Sequence, residues 1–347
     1  MDIYLLLTFS SFCFSFLELF TDIIRKKFFK IIQYFYIFLL SIIFIFNREN
    51  SDYNAYLLFF KERNDIVHER GYLIFTDIIR LMNGNHNIVI LILGLLMIYT
   101  FFYLYKSHYI ISYIFLYSIF VLIFDINQIR NLYCILFILI GIKFLSKKKD
   151  IAYLLLNFLA ISFQRLGLIY LIFYILQKFT LKTYIKFISI IFISSLLLQD
   201  VIINYATNIF PDKIFYYLRY KQNMGHLLYY FLILMDVLFL LIAFYKNKKK
   251  LTILEKLCVK FILFPIIALP FSSFVLELII RLWRNSMYIK WYYYLKFLRK
   301  DNKKQKNFLL WSLLLFQQLT YIFILFYSNK SNTIYILKQI GNIKFYF

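Results

Sequence analysis

Arginine, carboxylate and amide side chains fall into three groups along this chain. The first is Arg48, Asp52, Tyr53, Tyr56 and the run Glu69-Arg70-Gly71-Tyr72. The second joins Asp125, Gln128, Arg130 and Asn131 to Gln164 and Arg165. The third is Glu277, Arg281 and Arg284, with Tyr288 one helical turn past Arg284. Arginine carries a planar fork of donors that matches a phosphate, so the pattern fits recognition of a phosphate-bearing substrate. A plainer account stands beside it. Arginines at helix ends also snorkel to headgroups, and Asp125 with Arg130, or Glu277 with Arg281, fit internal ion pairs. Other chemistries find less support. The histidines His68, His86, His108 and His226 are scattered without metal-ligand spacing, and no Gly-rich phosphate loop or nucleophile–histidine–acid set stands out. Asp236 is an isolated charge in an apolar run. It reads as functional, or as buried with a partner or a proton.

The elements that must position these residues are apolar. The 347-residue chain is 63% hydrophobic and 22% aromatic, too much apolar surface for one soluble core, so lipid is the expected solvent. The net charge is 40 − 17 = +23, which on a continuous patch would point to nucleic acid. Here most basic residues sit in short clusters between apolar runs: Arg25 to Lys30, Lys106, Lys143 to Lys149, Lys178 to Lys186, Lys246 to Lys260 and Lys290 to Lys306. One zig-zag path puts all six on one face, the cytoplasmic one. Nucleic acid is therefore not the expected partner. Cys13, Cys134 and Cys258 lie in apolar runs and imply no disulfide framework.

Spans are expected at about 3–20, 31–46, 88–105, 109–124, 131–146, 151–163, 166–177, 184–199, 226–245, 257–276, 282–298 and 308–327. The first has no basic n-region or cleavage site and reads as a retained helix entering from outside. The fold class is then an all-α integral membrane protein, a bundle of about twelve transmembrane helices in one domain, 1–347. Residues 47–87 are too polar to span. Tyr53, Tyr56, Leu57 and Phe60, and then Tyr72, Phe75, Ile78, Ile79 and Met82, recur at helical spacing, which predicts two short amphipathic helices on the outer surface. Basic flanks on both sides of 151–176 predict a break at Gln164-Arg165, with halves too short to cross unaided. Lys290 and Lys296 interrupt the span around them, and Pro265 and Pro270 should kink the one before. The three polar groups then fall at outer helix ends.

Four motifs in order resemble the EpsG-type branch of the Wzy-like polysaccharide polymerases. A Met-x-Ile-Tyr start opens the chain. The family's R-x(3-5)-D-Y-x-x-Y stretch is similar to Arg48-Glu49-Asn50-Ser51-Asp52-Tyr53-Asn54-Ala55-Tyr56, and its E-x-G-aromatic element to Glu69-Arg70-Gly71-Tyr72. Its Q-x-R element resembles Gln128-Ile129-Arg130, and its R-x-x-x-Y element resembles Arg284-Asn285-Ser286-Met287-Tyr288. One departure stands out. Where the family commonly has Phe-His before a small residue, this chain has Phe163-Gln164-Arg165-Leu166-Gly167, and a glutamine cannot act as a base at neutral pH.

The resemblance implies a GT-C-like bundle in the bacterial cytoplasmic membrane, making capsule or exopolysaccharide. Its reaction moves a glycan from undecaprenyl diphosphate to the nonreducing end of another lipid-linked repeat unit, with no metal and no cofactor. Arg130, Arg165, Arg281 and Arg284 would stabilise the leaving diphosphate, helped by a helix starting at Leu166. Asp52 or Glu69 would take or orient the acceptor proton. Tyr53, Tyr56 and Tyr72 would stack on sugars, and Arg48, Gln128, Gln164 and Tyr288 complete the substrate contacts. Partners would be the lipid-linked oligosaccharide, the bilayer, a flippase and a chain-length regulator. A flippase of lipid-linked oligosaccharide, or a membrane O-acyltransferase, is the alternative.

Overall fold

The computed structural model describes residues 2–20, 27–46, 53–62, 69–105, 109–209, 225–246, 251–272, 276–300 and 311–320. All regular structure among them is helical, and the helices stand where the apolar runs predict them. Three are long and apolar enough to cross a membrane alone: Phe28–Phe46, Ile129–Ser146 and Leu181–Ile202. Shorter apolar helices accompany them. The chain divides into two compact units, residues 1–171 with 294–347, and residues 172–293.

The first unit opens with α1 (Asp2–Phe20) and α2 (Lys27–Phe46). Then come the amphipathic helices α3 (Tyr53–Glu62) and α4 (Arg70–Leu81), and α5 (His86–Tyr105). The predicted apolar face of α3 is the one that packs, with Tyr53, Tyr56 and Phe60 buried. On α4 the packed face is rotated from the prediction: Tyr72, Thr76 and Ile79 are buried, while Ile78 and Met82 are exposed with Ile74 and Leu81. Both sides of α4 are apolar, one packed on protein and the other exposed. The bend between α4 and α5 is 118°.

Next come α6 (Ile110–Leu116), a π-helical turn (Tyr117–Val121) and α7 (Leu122–Asn127). A π turn interrupts the i to i+4 ladder. Here the Tyr4 hydroxyl donates to the Ser118 carbonyl at 2.9 Å, which gives the tyrosine of the Met-x-Ile-Tyr start a structural task. The start of α6 is held from α1. Glu18, fully buried, accepts from the backbone N–H of Ser112 (2.7 Å) and Ile111 (3.2 Å), from the Ser112 hydroxyl (2.7 Å) and from Gln33 Nε2 on α2 (2.8 Å). The exposed N–H groups of a helix start favour a carboxylate. One buried acid thus ties three helices.

Helices α8 (Ile129–Ser146) and α9 (Asp150–Phe163) form a close pair. At Gln164 the backbone is extended, φ −154° and ψ 124°, so the predicted break is present. The chain returns through a 3-10 turn, Arg165–Leu168, into α10 (Ile169–Leu176). The Tyr153 hydroxyl donates to Tyr170 O (2.9 Å) and Asn157 Nδ2 to Gly167 O (3.3 Å), fixing the return strand of this hairpin. A Cβ on Gly167 would lie 2.7 Å from Ile161 N, so only glycine allows the approach. The 14 residues of α9 reach about 21 Å at 1.5 Å per residue, short of the ~30 Å hydrocarbon core.

The second unit contains α11 (Leu181–Ile209), α12 (Gly225–Lys246), α13 (Ile253–Leu263) and most of α14 (Leu276–Lys300). A capping box between Thr252 and Glu255 starts α13. Beyond Leu263 the proline-bearing stretch Phe264–Phe271 is a 3-10 helix, the form taken by the expected kink. Lys260 is buried with its ammonium on Phe179 O (2.7 Å) and Gln177 O, in the turn between α10 and α11. On α12, Asp236 accepts from Lys290 Nζ (3.0 and 3.2 Å) and from Trp283 Nε1 (3.0 Å), both on α14. The isolated acid and one of the two lysines that interrupt the expected span at 282–298 are partners. Each makes the other tolerable, and α14 runs through Lys290 unbroken. The helix at residues 311–320 belongs to the first unit, where Trp311 meets Phe115.

Two expectations follow. Glu18→Ala leaves four donors without their acceptor and should cost on the order of 3 kcal/mol, read as a lower Tm in detergent. Asp236→Leu or Lys290→Met alone strands a buried charge, at about 3–5 kcal/mol, and should deplete the protein from membranes. The double variant should recover most of the loss.

Candidate functional site: a carboxylate held between Arg130 and the turn after α9

Glu69 sits at the N-cap of α4 with extended backbone, and its side chain does not cap the helix. It reaches away instead. Oε2 forms an ion pair with Arg130 Nη1, and Oε1 accepts the Arg165 backbone N–H at 3.3 Å. Arg130 lies in the first turn of α8, just past Gln128, whose backbone (φ −108°, ψ 61°) separates α7 from α8. The Arg130 guanidinium also donates to the Tyr56 side chain on α3. The first and second polar groups of the sequence therefore converge through Glu69, Tyr56, Arg130 and Arg165. Arg130 takes Glu69 as its ion-pair partner, and Asp125, fully buried, accepts from the Tyr117 hydroxyl at 2.7 Å across the π turn.

Gly71 makes this convergence possible. A Cβ there would fall 2.2 Å from Ser162 Oγ and 2.8 Å from Ser162 O, so the α4 backbone rests directly on the end of α9. Below the contact lies an aromatic layer. Phe163 meets Tyr133 (4.9 Å between centroids), Phe75 (5.6 Å) and Tyr72 (6.4 Å), and Tyr72 meets Tyr56 at 6.0 Å. The side chains that carry the E-x-G-aromatic element thus have distinct tasks: a carboxylate that reaches, a glycine that allows contact, and a ring that packs.

Three tyrosines expected at the site are less accessible than the sequence expectation needs. Tyr53, Tyr56 and Tyr72 are buried, and their rings lie against protein rather than forming a platform open to sugar. Tyr53 stacks on His86 (5.4 Å, 23°), and its hydroxyl donates to Asn87 Oδ1 at 3.0 Å. Phe60 stacks near the same imidazole (5.9 Å, 21°). The helical start expected at Leu166 begins one residue earlier, and its first N–H is already bound by Glu69. Gln164 is half-buried, and its side-chain carbonyl has no donor among the described residues. Arg165 is exposed and Gln128 half-buried.

His86 was missed by motif reading. It is 1% exposed, and neither ring nitrogen has a hydrogen-bond partner among the described residues. The spacing of Tyr53, Tyr56 and Phe60 announced an aromatic face on α3 but not what that face would cover. The third polar group belongs to the second unit. There Arg284 and Tyr288 are fully buried one turn apart on α14, and Arg281 is half-buried. Arg48 and Asp52 lie outside the described residues, as does the Glu277 side chain.

Apolar helices, a broken hairpin and an arginine–carboxylate centre at its turn define a helical membrane protein with a polar site at the helix ends. The chain matches the EpsG family over residues 30–338 and belongs to it, a family of polysaccharide-biosynthesis polymerases. No curated protein and no solved structure matches the chain significantly.

Gly71→Ala should push α4 off α9 and separate Glu69 from Arg165. Polymer-forming activity should fall at least tenfold while the protein stays in the membrane, measured as glycan per unit of membrane-embedded protein.

Proposed function

We propose that the chain polymerises a cell-surface polysaccharide at the outer face of the bacterial cytoplasmic membrane, which it crosses about twelve times. The donor is a glycan on undecaprenyl diphosphate, and the acceptor is the nonreducing end of a second lipid-linked repeat unit. The acceptor hydroxyl oxygen bonds to the donor's anomeric carbon, whose bond to the diphosphate breaks with the electron pair leaving on phosphate. The hydroxyl proton passes to a carboxylate. The observation that carries this reading is the meeting of Glu69, Arg130 and the Arg165 backbone at the hairpin turn.

The residue types fit the task. Arginine offers paired donors to a leaving diphosphate, and Arg130 and Arg165 are assigned to it. Glu69 is assigned the proton, and Asp52 is its alternate. Gln164, in place of the family histidine, is assigned hydrogen bonding to substrate and no proton transfer. In the second unit, Arg281, Arg284 and Tyr288 are assigned contacts to anionic parts of the lipid-linked substrates. Catalysis by side chains alone is the simplest scheme for this set. A flippase and a chain-length regulator are the expected functional neighbours.

Deleting the gene in its host and sizing lipid-linked and surface glycan on a gel tests the assignment. Single repeat units that reach the surface unextended are expected. Repeat units trapped inside would identify a flippase, and full-length polymer lacking only acyl groups an acyltransferase. Complementation with Arg284→Ala should leave protein in the membrane and extension abolished; normal-length polymer would remove Arg284 from the site.

A further inference from the structure

Among the described residues, the ion pairs Lys290–Asp236 and Arg130–Glu69 each join distant parts of the chain and differ in access. Lys290 and Asp236 are sealed, with side chains 0% and 3% exposed. Arg130 and Glu69 are partly open, at 20% and 13%. A sealed pair serves the fold. An open pair in a polar site can exchange a partner.

Glu69 is an anion in a cradle of donors. One oxygen takes Arg130 Nη1 and the other takes the Arg165 N–H. The cradle offers more than the carboxylate uses, because Arg130 Nε has no acceptor among the described residues. A carboxylate brings two oxygens and one charge. A diphosphate brings more of both, and arginine binds phosphate through paired N–H groups. The backbone N–H at the start of the 3-10 turn adds a fixed donor, and Gly71 and the aromatic layer hold these pieces at close range.

We propose that the Glu69 carboxylate occupies the seat of a diphosphate, and that a diphosphate entering on Arg130 and the Arg165 backbone N–H displaces it. The inference deepens the polymerase reading and rests on it for the identity of the diphosphate as the donor's leaving group. While Glu69 holds Arg130 as its partner, both of its carboxylate oxygens are engaged, the second by the Arg165 N–H. Displacement removes that partner and leaves a carboxylate beside the newly bound donor. Proton acceptance then becomes available only when a donor is seated. The order also protects the site, since an acceptor hydroxyl arriving alone finds the carboxylate engaged.

Competition between Glu69 and the ligand gives the test. Purified full-length protein in nanodiscs is titrated with farnesyl diphosphate, a short prenyl diphosphate, and separately with inorganic pyrophosphate. Glu69→Gln keeps the shape and removes the competing charge, so it should bind farnesyl diphosphate at least tenfold more tightly than the unaltered protein, and adding Arg130→Ala should abolish the gain. A parallel gain with pyrophosphate would assign the exchange to the phosphates alone; a gain confined to the prenyl compound would assign it to a lipid-borne diphosphate. Unchanged or weaker binding of both by Glu69→Gln would overturn the exchange. If Glu69→Gln does not accumulate, Glu69→Asp retains the charge with a shorter reach, and a smaller gain, about threefold, is expected against none. Binding is read without polymerisation, so the exchange can fail while the gel test of deletion stands, and the reverse.

Discussion

The two oxygens of the Glu69 carboxylate are bound to different pieces of the first unit, one to a side chain on α8 and one to the backbone just past the end of α9. Its own backbone starts α4. Three segments that meet nowhere in sequence are therefore set relative to one another by a single charged group. Surface ion pairs contribute little to stability, and an open pair such as this one need not contribute much. What it fixes is geometry. Gly71 and Phe163 make the arrangement affordable sterically, one by having no side chain at the contact and the other by filling the space beneath it.

Elsewhere the molecule handles buried charge by pairing it with groups outside the charge's own helix. An unaccompanied charge at the centre of a membrane costs from about 2.5 kcal/mol upward. Asp236 meets Lys290 and Trp283, Glu18 meets the start of α6, and Lys260 meets the turn after α10. In each case the partner lies outside the charge's own helix. These contacts act as registers: sliding either helix by one turn would move a buried charge about 5.4 Å from its partner. Apolar side chains alone tolerate such slips far better, since one leucine against lipid resembles another.

Much of this was legible beforehand. Apolar runs located the helices, basic flanks located the break at Gln164, and the spacing of Tyr53, Tyr56 and Phe60 gave the buried face of α3. Short motifs also marked Glu69, Arg130 and Arg165. The partnerships were not legible, because the partners are remote. Asp236 and Lys290 are separated by 54 residues and Glu18 and Ser112 by 94, and pattern reading over a window of one helix sees each charge alone. The face of α4 was legible at Tyr72, Phe75 and Ile79 but not at Ile78 and Met82, which are exposed: periodicity finds apolar stripes but cannot say which stripe meets protein when the surroundings are themselves apolar. His86 escaped because a lone histidine carries no spacing, and its significance comes only from the rings around it.

The anchoring of Glu18 bears on how the chain is made. Its first backbone donor, Ile111, lies 93 residues downstream. At 5–20 residues per second, roughly 5 to 20 s separate the synthesis of α1 from that of the helix start that receives its carboxylate. During that interval α1 holds an acid for which only Gln33, of its final partners, has been made. Water at the membrane surface, or a proton, must accompany it. The seating of α1 thus waits for a later helix, so truncations ending before Ser112 leave α1 without the anchor of its finished position.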